Sequence, residues 1–215
     1  MQSGIPLKYE INFWKKNQLV VGVDEVGRGA LAGPLVAAAC LFSPETFIPD
    51  NIIVTDSKKL SPSRRTDVSE WIKKNATCWT IFSVNNRTID KLGISKAGLI
   101  VLRNAVLQLA SRLKHQNSVF VLSDYFHIPH LKGIGKKNQR AIVKGDEKVF
   151  SVAAASIIAK IHRDQLMQQF SSQHPLYGWE KNKGYATKEH QLALKKYGAT
   201  TLHRKLFIRN FLTAS

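Results

Sequence analysis

The chain predicts an α/β fold, with helices packed on a sheet. Three observations carry this. Short apolar runs of strand length crowd the first third, segments with helical spacing fill the last, and acids recur where the apolar runs stop. Leu19–Val23 and Leu35–Phe42 read as strands joined by a glycine-rich turn. Pro49–Asp56 is a short apolar stretch leading into Asp56-Ser57-Lys58-Lys59. Ser61-Pro62 starts a helix running to about Asn75, with serine as the cap and proline in the first turn. Thr77–Val84 alternates as a third strand. Thr88 to Lys114 reads as one helix, with Leu99, Leu102, Val106, Leu109 and Leu113 on its apolar face. Val119–Leu122 is a fourth strand ending at Asp124, and Ala141–Val143 a fifth followed by Asp146. Alanine-rich Val149 to Ser171 is a long helix, and Thr187–Tyr197 another. The basic loop from His127 to Gln139 reads as a mobile surface insertion.

A chain of 215 residues, 44% of them hydrophobic, suits one domain. Cys40 and Cys78 sit in apolar strand-like runs and read as reduced core residues of a cytoplasmic protein, a disulfide being the alternative. The first residues lack the regions of a signal peptide, and no apolar run approaches a membrane span. The strongest bulk signal is charge: 32 Lys and Arg against 15 acids, a net of +17. Such a surface attracts polyanions, nucleic acid first. An anionic membrane would call for a basic amphipathic helix with a broad apolar face, which is not evident. A basic protein with no nucleic-acid role is the plainer alternative.

Asp24 and Glu25 close the first strand. A carboxylate in an apolar strand costs several kcal/mol unless neutralised. Two of them beside a turn that exposes backbone N–H groups suggest a metal held close to a phosphate. Gly27-Arg28-Gly29 with Gly33 nearly matches a dinucleotide fingerprint, but Pro34 and a strand follow where a helix is required. No phosphate loop, zinc spacing or nucleophile elbow is present. What remains is carboxylates with positive charge. Hard oxygen ligands select Mg²⁺ or Mn²⁺, and two such ions can activate water and stabilise the leaving oxygen of a phosphodiester. Each residue also has a duller reading. Asp24 and Asp124 could be turn residues, Glu25 a solvated neighbour and Asp146 the cap of the long helix. Arg28 could pair with an acid on the surface, Lys58 and Lys59 could be a solvated charge pair, and Tyr185 ordinary packing.

The ordered motifs go further. Val23-Asp24-Glu25-Val26-Gly27-Arg28-Gly29 with Gly33-Pro34 resembles the opening motif of bacterial type II ribonuclease H. The resemblance continues through Asp56-Ser57-Lys58-Lys59-Leu60-Ser61, Lys144-Gly145-Asp146, Ala153 to Lys160, Arg163-Asp164, His174-Pro175, Tyr177-Gly178, Lys183 to Thr187 and His203-Arg204. It implies an RNase H-like fold: a central five-stranded mixed sheet flanked by helices, with a helical C-terminal part. It implies one catalytic domain over 1–215, with 1–18 an N-terminal extension and about 172–215 a helical substrate-binding part. The implied activity is endonucleolytic cleavage of RNA in RNA–DNA hybrids and incision beside ribonucleotides embedded in duplex DNA, leaving 5′-phosphate and 3′-hydroxyl ends. Asp24, Glu25, Asp124 and Asp146 align with the four metal-binding, catalytic carboxylates. Gly27, Arg28 and Gly29 align with the element that reads the ribose 2′-OH, largely through backbone groups, and Tyr185 with the tyrosine that stacks at the junction sugar. Lys58, Ser156 and Lys160 fall in blocks associated with phosphate contact or site architecture. The family pattern has Asp-Gly at the third carboxylate, where this chain has Asp124-Tyr125, and the following loop is long. Arg28 and the short segment before the first strand favour type II over type III. No sliding-clamp peptide is evident at the C-terminus, and a monomer is expected. Rival readings are a non-catalytic nucleic-acid-binding module and a general DNA nuclease on the same fold.

Overall fold

A computed structural model describes residues 4–113 and 118–212. Five strands form one mixed sheet: β1 (Leu19–Val26), β2 (Leu35–Leu41), β3 (Cys78–Val84), β4 (Val119–Asp124) and β5 (Gln139–Ile142), in the order β3-β2-β1-β4-β5. β1, β2 and β3 are antiparallel neighbours, while β4 runs parallel to β1 and β5 parallel to β4. The carboxyl ends of β1, β4 and β5 therefore open on the same side, where sites gather in α/β sheets.

Side-chain alternation divides the core into two layers. Val21, Val23, Leu35, Ala37 and Ala39 face α4 (Ile94–Ala110), whose Val101, Leu102, Ala105 and Leu109 are buried against them. Val36, Ala38, Cys40 and Phe42 face α2 (Pro62–Asn75) and α6 (Phe150–Gln173) on the other side. Helix α6 crosses β1 so closely that a Cβ on Gly22 would stand 2.2 Å from the Ser151 carbonyl carbon. Its run of alanines allows that approach. The C-terminal part, α7 (Trp179–Asn182), α8 (Lys188–Tyr197) and α9 (Lys205–Leu212), has its own apolar cluster around Trp179, Leu194 and Ile208. Among the described residues no helix is long and apolar enough to cross a membrane.

Several expectations are corrected. The single helix from Thr88 is two, α3 (Asn86–Leu92) and α4, broken at Gly93, whose φ of +78° ends one helix and whose backbone starts the next. Its expected end, Lys114, lies outside the described residues. The basic loop is no loose insertion: Ile128, Leu131 and Ile134 are buried in the α4-side core, and the Gln139 side chain is bonded to both backbone groups of Ile128. Three apolar side chains among the lysines carried that signal, masked by the charge. The fifth strand starts two residues earlier than predicted. Asp146 does not cap α6; it lies inside a one-turn helix α5 (Gly145–Lys148), and Val149 precedes α6. The segment before β1 contains α1 (Lys8–Trp14), anchored by buried Glu10, which accepts hydrogen bonds from the backbone N–H and hydroxyl of Ser151. Both cysteines are free.

Candidate active site

β1 continues through Asp24 and Glu25, which pair with Ala38 and Ala37 of β2. The acids are thus inside the strand rather than at its end, and alternation sends them to opposite faces. Asp24 shares the α6 face with Val20 and Gly22, Glu25 the α4 face. Val23 stands opposite Ser123 in the parallel register, which brings Asp124 level with Asp24. β5 then delivers Lys144-Gly145-Asp146, and the Gly145 N–H donates to Asp124 Oδ1 at 2.8 Å. Lys144 adopts a left-handed backbone, φ +59°, to make that turn. Three strand ends thereby bring four acids to the wall of one cavity of about 510 Å³. All eleven residues singled out in the sequence line it: the four acids, Gly27, Arg28, Gly29, Lys58, Ser156, Lys160 and Tyr185.

The electrostatics of the wall are costly. Burial, then the charges of Glu25 and Asp124, hold the Asp24 carboxyl well above the usual range, against a hydrogen bond from Ser156. Burial pushes Glu25 up to about 7 despite Arg28, whose Nη1 stands 3.4 Å from Glu25 Oε1. Asp146 is raised by burial and by Asp124 and Asp56, with Lys58 Nζ 3.9 Å away as partial relief. As the side chains stand, no three His, Cys, Asp or Glu groups among the described residues form a closed cage. Asp24 Oδ1 is turned to the Glu25 N–H and Asp124 Oδ1 to Gly145. The donor set nevertheless suits a hard divalent cation: carboxylate oxygens only, desolvated, and repelling one another across a shared cavity.

The Gly-Arg-Gly turn is held from behind. Gly27 has φ +104°, and a Cβ there would meet Arg163 Nε at 2.3 Å. Gly29 is exposed with nothing near its Cβ position, so its backbone is open to the cavity. Two fully buried arginines clamp the segment without a bonded carboxylate. Arg163 donates to the carbonyls of Pro34, Lys183 and Ala32 at 2.9–3.2 Å, Arg204 to those of Gly33, Arg28 and Pro34 at 2.9–3.1 Å. Burial lowers the basicity of both, and in Arg204 the neighbouring Arg163 charge adds to it. The Arg28 side chain lies 4.6 Å from the Phe126 ring centroid, and its Nη1 occupies the space a Gly98 side chain would need. Tyr185 has Arg163 5.1 Å and Lys160 5.9 Å from its ring centre, while Lys160 Nζ bonds Asp164 at 2.7 Å. Ser156 Oγ lies 3.3 Å from Ser57 Oγ.

The structure adds Phe126, and it gives Ser57, Arg163 and Arg204, present in the sequence only as members of longer motifs, a place at the cavity or behind its turn. Phe126 lies two residues beyond the third acid with no motif to mark it; only the path of Arg28 reveals its part. The residue before it, Tyr125, stands where the resemblance leads one to expect glycine, and its φ of +61° is a region that favours glycine.

Known proteins resemble the chain closely. The family model described as Ribonuclease HII matches residues 21–210. A curated ribonuclease HII from Caldicellulosiruptor saccharolyticus is 40% identical over 218 residues, covering 99% of this chain and all of that protein. Among solved structures, the RNase HII in the PCNA complex from Archaeoglobus fulgidus superposes with a TM-score of 0.73 at 26% identity, covering 91% of this chain and 98% of that one. Bst-RNase HIII in complex with Mn²⁺ shares the fold at a TM-score of 0.67 and 20% identity, over 84% of this chain and 63% of that one. A match that spans both the acid-bearing strands and the C-terminal clamp leaves one conclusion: the chain belongs to the ribonuclease HII family.

Proposed function

We propose that the cavity is the active site of an endoribonuclease that hydrolyses the RNA strand of RNA–DNA hybrids and incises beside ribonucleotides embedded in duplex DNA. The observation that carries this reading is the meeting of four desolvated carboxylates with an exposed glycine backbone and a half-buried tyrosine on one cavity of a +17 protein. Mg²⁺ or Mn²⁺ ions held by Asp24, Glu25, Asp124 and Asp146 would supply an activated water and stabilise the leaving 3′-oxygen. The chain's own residues do the rest. Gly27 and Gly29 let the turn's backbone approach the ribose 2′-OH, the group that separates RNA from DNA. The Phe126 ring and Glu25 hold Arg28 at the lip beside them. Tyr185, backed by Arg163, offers a ring face to the sugar at the junction. Lys58, exposed and poised over Asp146, and Lys160 meet backbone phosphates, and Ser156 orients Asp24.

A duplex carrying a single ribonucleotide tests the reading. Cleavage is expected with Mg²⁺ or Mn²⁺, leaving a 5′-phosphate, and none in EDTA. An all-DNA duplex should be bound and left intact. Tight binding without any cleavage would instead favour a non-catalytic nucleic-acid-binding module, and efficient cutting of the all-DNA duplex a general nuclease.

A further inference from the structure

Just outside the cavity, beside Asp124 and Phe126 of its wall, lies a feature that the proposed chemistry leaves unused. Tyr125 follows Asp124 directly, and its N–H donates to the Ile142 carbonyl at 3.1 Å, so residues 125 and 143 leave β4 and β5 side by side. Both are exposed, Tyr125 by 64% and Val143 by 60%. Neither belongs to a core cluster. The Tyr125 ring stands edge-on to Phe126, centroids 5.1 Å apart, and Phe126 in turn underlies Arg28 at the cavity lip. Two ammonium groups flank the pair: Lys148 donates to the Val143 carbonyl, and Lys144 is two-thirds exposed. An apolar ledge with cations at its rim, next to a phosphodiester-cutting site, has the composition of a nucleic-acid contact: rings take sugars and bases, ammonium groups take phosphates. The backbone sharpens the point. At φ +61° glycine would be the relaxed choice, yet the chain places a large aromatic there and leaves it in solvent. Strain of this kind persists where a side chain has a task outside the fold.

We propose that Tyr125 and Val143 form a ledge on which a nucleotide of the substrate duplex rests, its sugar or base against the tyrosine ring, just beyond the Asp124–Asp146 side of the cavity. The proposal rests on the cavity being a nucleic-acid site, and the experiment separates the two. Fluorescence anisotropy with a labelled RNA–DNA hybrid in EDTA at physiological salt reads affinity independently of cleavage. Tyr125→Gly relieves the backbone, so its melting temperature should be no lower than the parent's. Its dissociation constant should nevertheless rise about 5- to 100-fold, the loss of one stacked nucleotide. Tyr125→Phe should bind within about twofold of the parent, since the ring is what counts. Val143→Ser should weaken binding by a smaller factor. Unchanged affinity in Tyr125→Gly overturns the ledge even if the parent cleaves hybrids well. So does an equal loss in Tyr125→Phe, which would point to the hydroxyl rather than the ring. A parent that binds hybrid through Tyr125 without cutting it would retain the ledge and reject the catalytic reading.

Discussion

Asp24 illustrates how a functional residue opposes its own fold. Its charge is desolvated and repelled by Glu25 and Asp124, so neutralising it should help folding while removing the candidate metal site. Asp24→Asn is expected to lose cleavage by at least about 10³-fold, since a four-carboxylate site loses one of its anionic ligands. In EDTA the same variant should melt about 2–4 °C above the parent for each kcal/mol of relieved repulsion. Hybrid binding should persist, because one negative charge fewer opposes the phosphates. Single-turnover assays and thermal melts check both halves, and robust cleavage by Asp24→Asn in Mg²⁺ would reject the assignment. The complementary prediction concerns the metal itself. A cation that binds only the folded state stabilises it by about 2.7 kcal/mol at a hundred times its dissociation constant. Mg²⁺ or Mn²⁺ should therefore raise the melting temperature of the parent and do so much less for Asp24→Asn, a comparison that needs no turnover.

Elements carry the site through side chains remote from it in sequence. Arg163 on α6 and Arg204 before α9 fix the glycine turn by donating to five carbonyls in all, so α6 and the C-terminal part support the turn from behind while Tyr185 lines the cavity itself. Arg163→Met should leave the Ala32 and Lys183 carbonyls without an arginine donor and the Pro34 carbonyl with Arg204 alone, costing about 3 kcal/mol and lowering kcat more than tenfold through a loosened turn. Denaturant melts beside cleavage assays would show both, and unchanged kcat would remove the turn from its supports. The C-terminal cluster also holds a histidine pair. His190 Nδ1–H donates to the Tyr185 carbonyl, which leaves Nε2 to accept from Trp179 Nε1 and from His203 Nε2, while His203 Nδ1 accepts from the Thr200 N–H. Both rings must be neutral. Burial, and then the proximity of His190, which disfavours a second positive charge, push His203 down to about 4. The folded group thus binds its proton less readily than the unfolded one, so its stability is whole above pH 6.5 and is lost as pH falls toward 4, up to about 3 kcal/mol. Melts at pH 7 and 4.5 should differ accordingly, and His203→Gln should narrow the difference. Little of this was legible in the sequence. Strands, acids and the glycine turn announce themselves by local pattern, because apolar runs and paired carboxylates are read within a few residues. Arg163 and Arg204 act on carbonyls, which any residue supplies, in five of the six bonds over 129 to 176 positions, and Gly93 looks like a tolerable glycine in a long helix until its φ is known.

At the scale of the whole molecule, charge and cavity divide recognition between them. A net of +17 on 215 residues places far more cations than the four acids of the cavity can compensate. Lysines of α2, the 127–139 loop, α8 and α9 are distributed over the surface rather than gathered in the cavity. Binding to a duplex should accordingly be dominated by phosphate neutralisation and be nearly blind to sugar chemistry, with discrimination left to the turn and Tyr185. The consequence is quantitative. If six to ten phosphates are neutralised, affinity for a hybrid should fall about 10³- to 10⁵-fold between 50 and 200 mM salt, with a log–log slope near −0.9 per contact. An all-DNA duplex of equal length should give nearly the same slope, because the counterions released are the same. Titrations of both duplexes across that salt range in EDTA check this. A slope near zero would mean the excess charge does not face the substrate, whereas a much steeper slope for the hybrid alone would move recognition from the cavity to the basic surface.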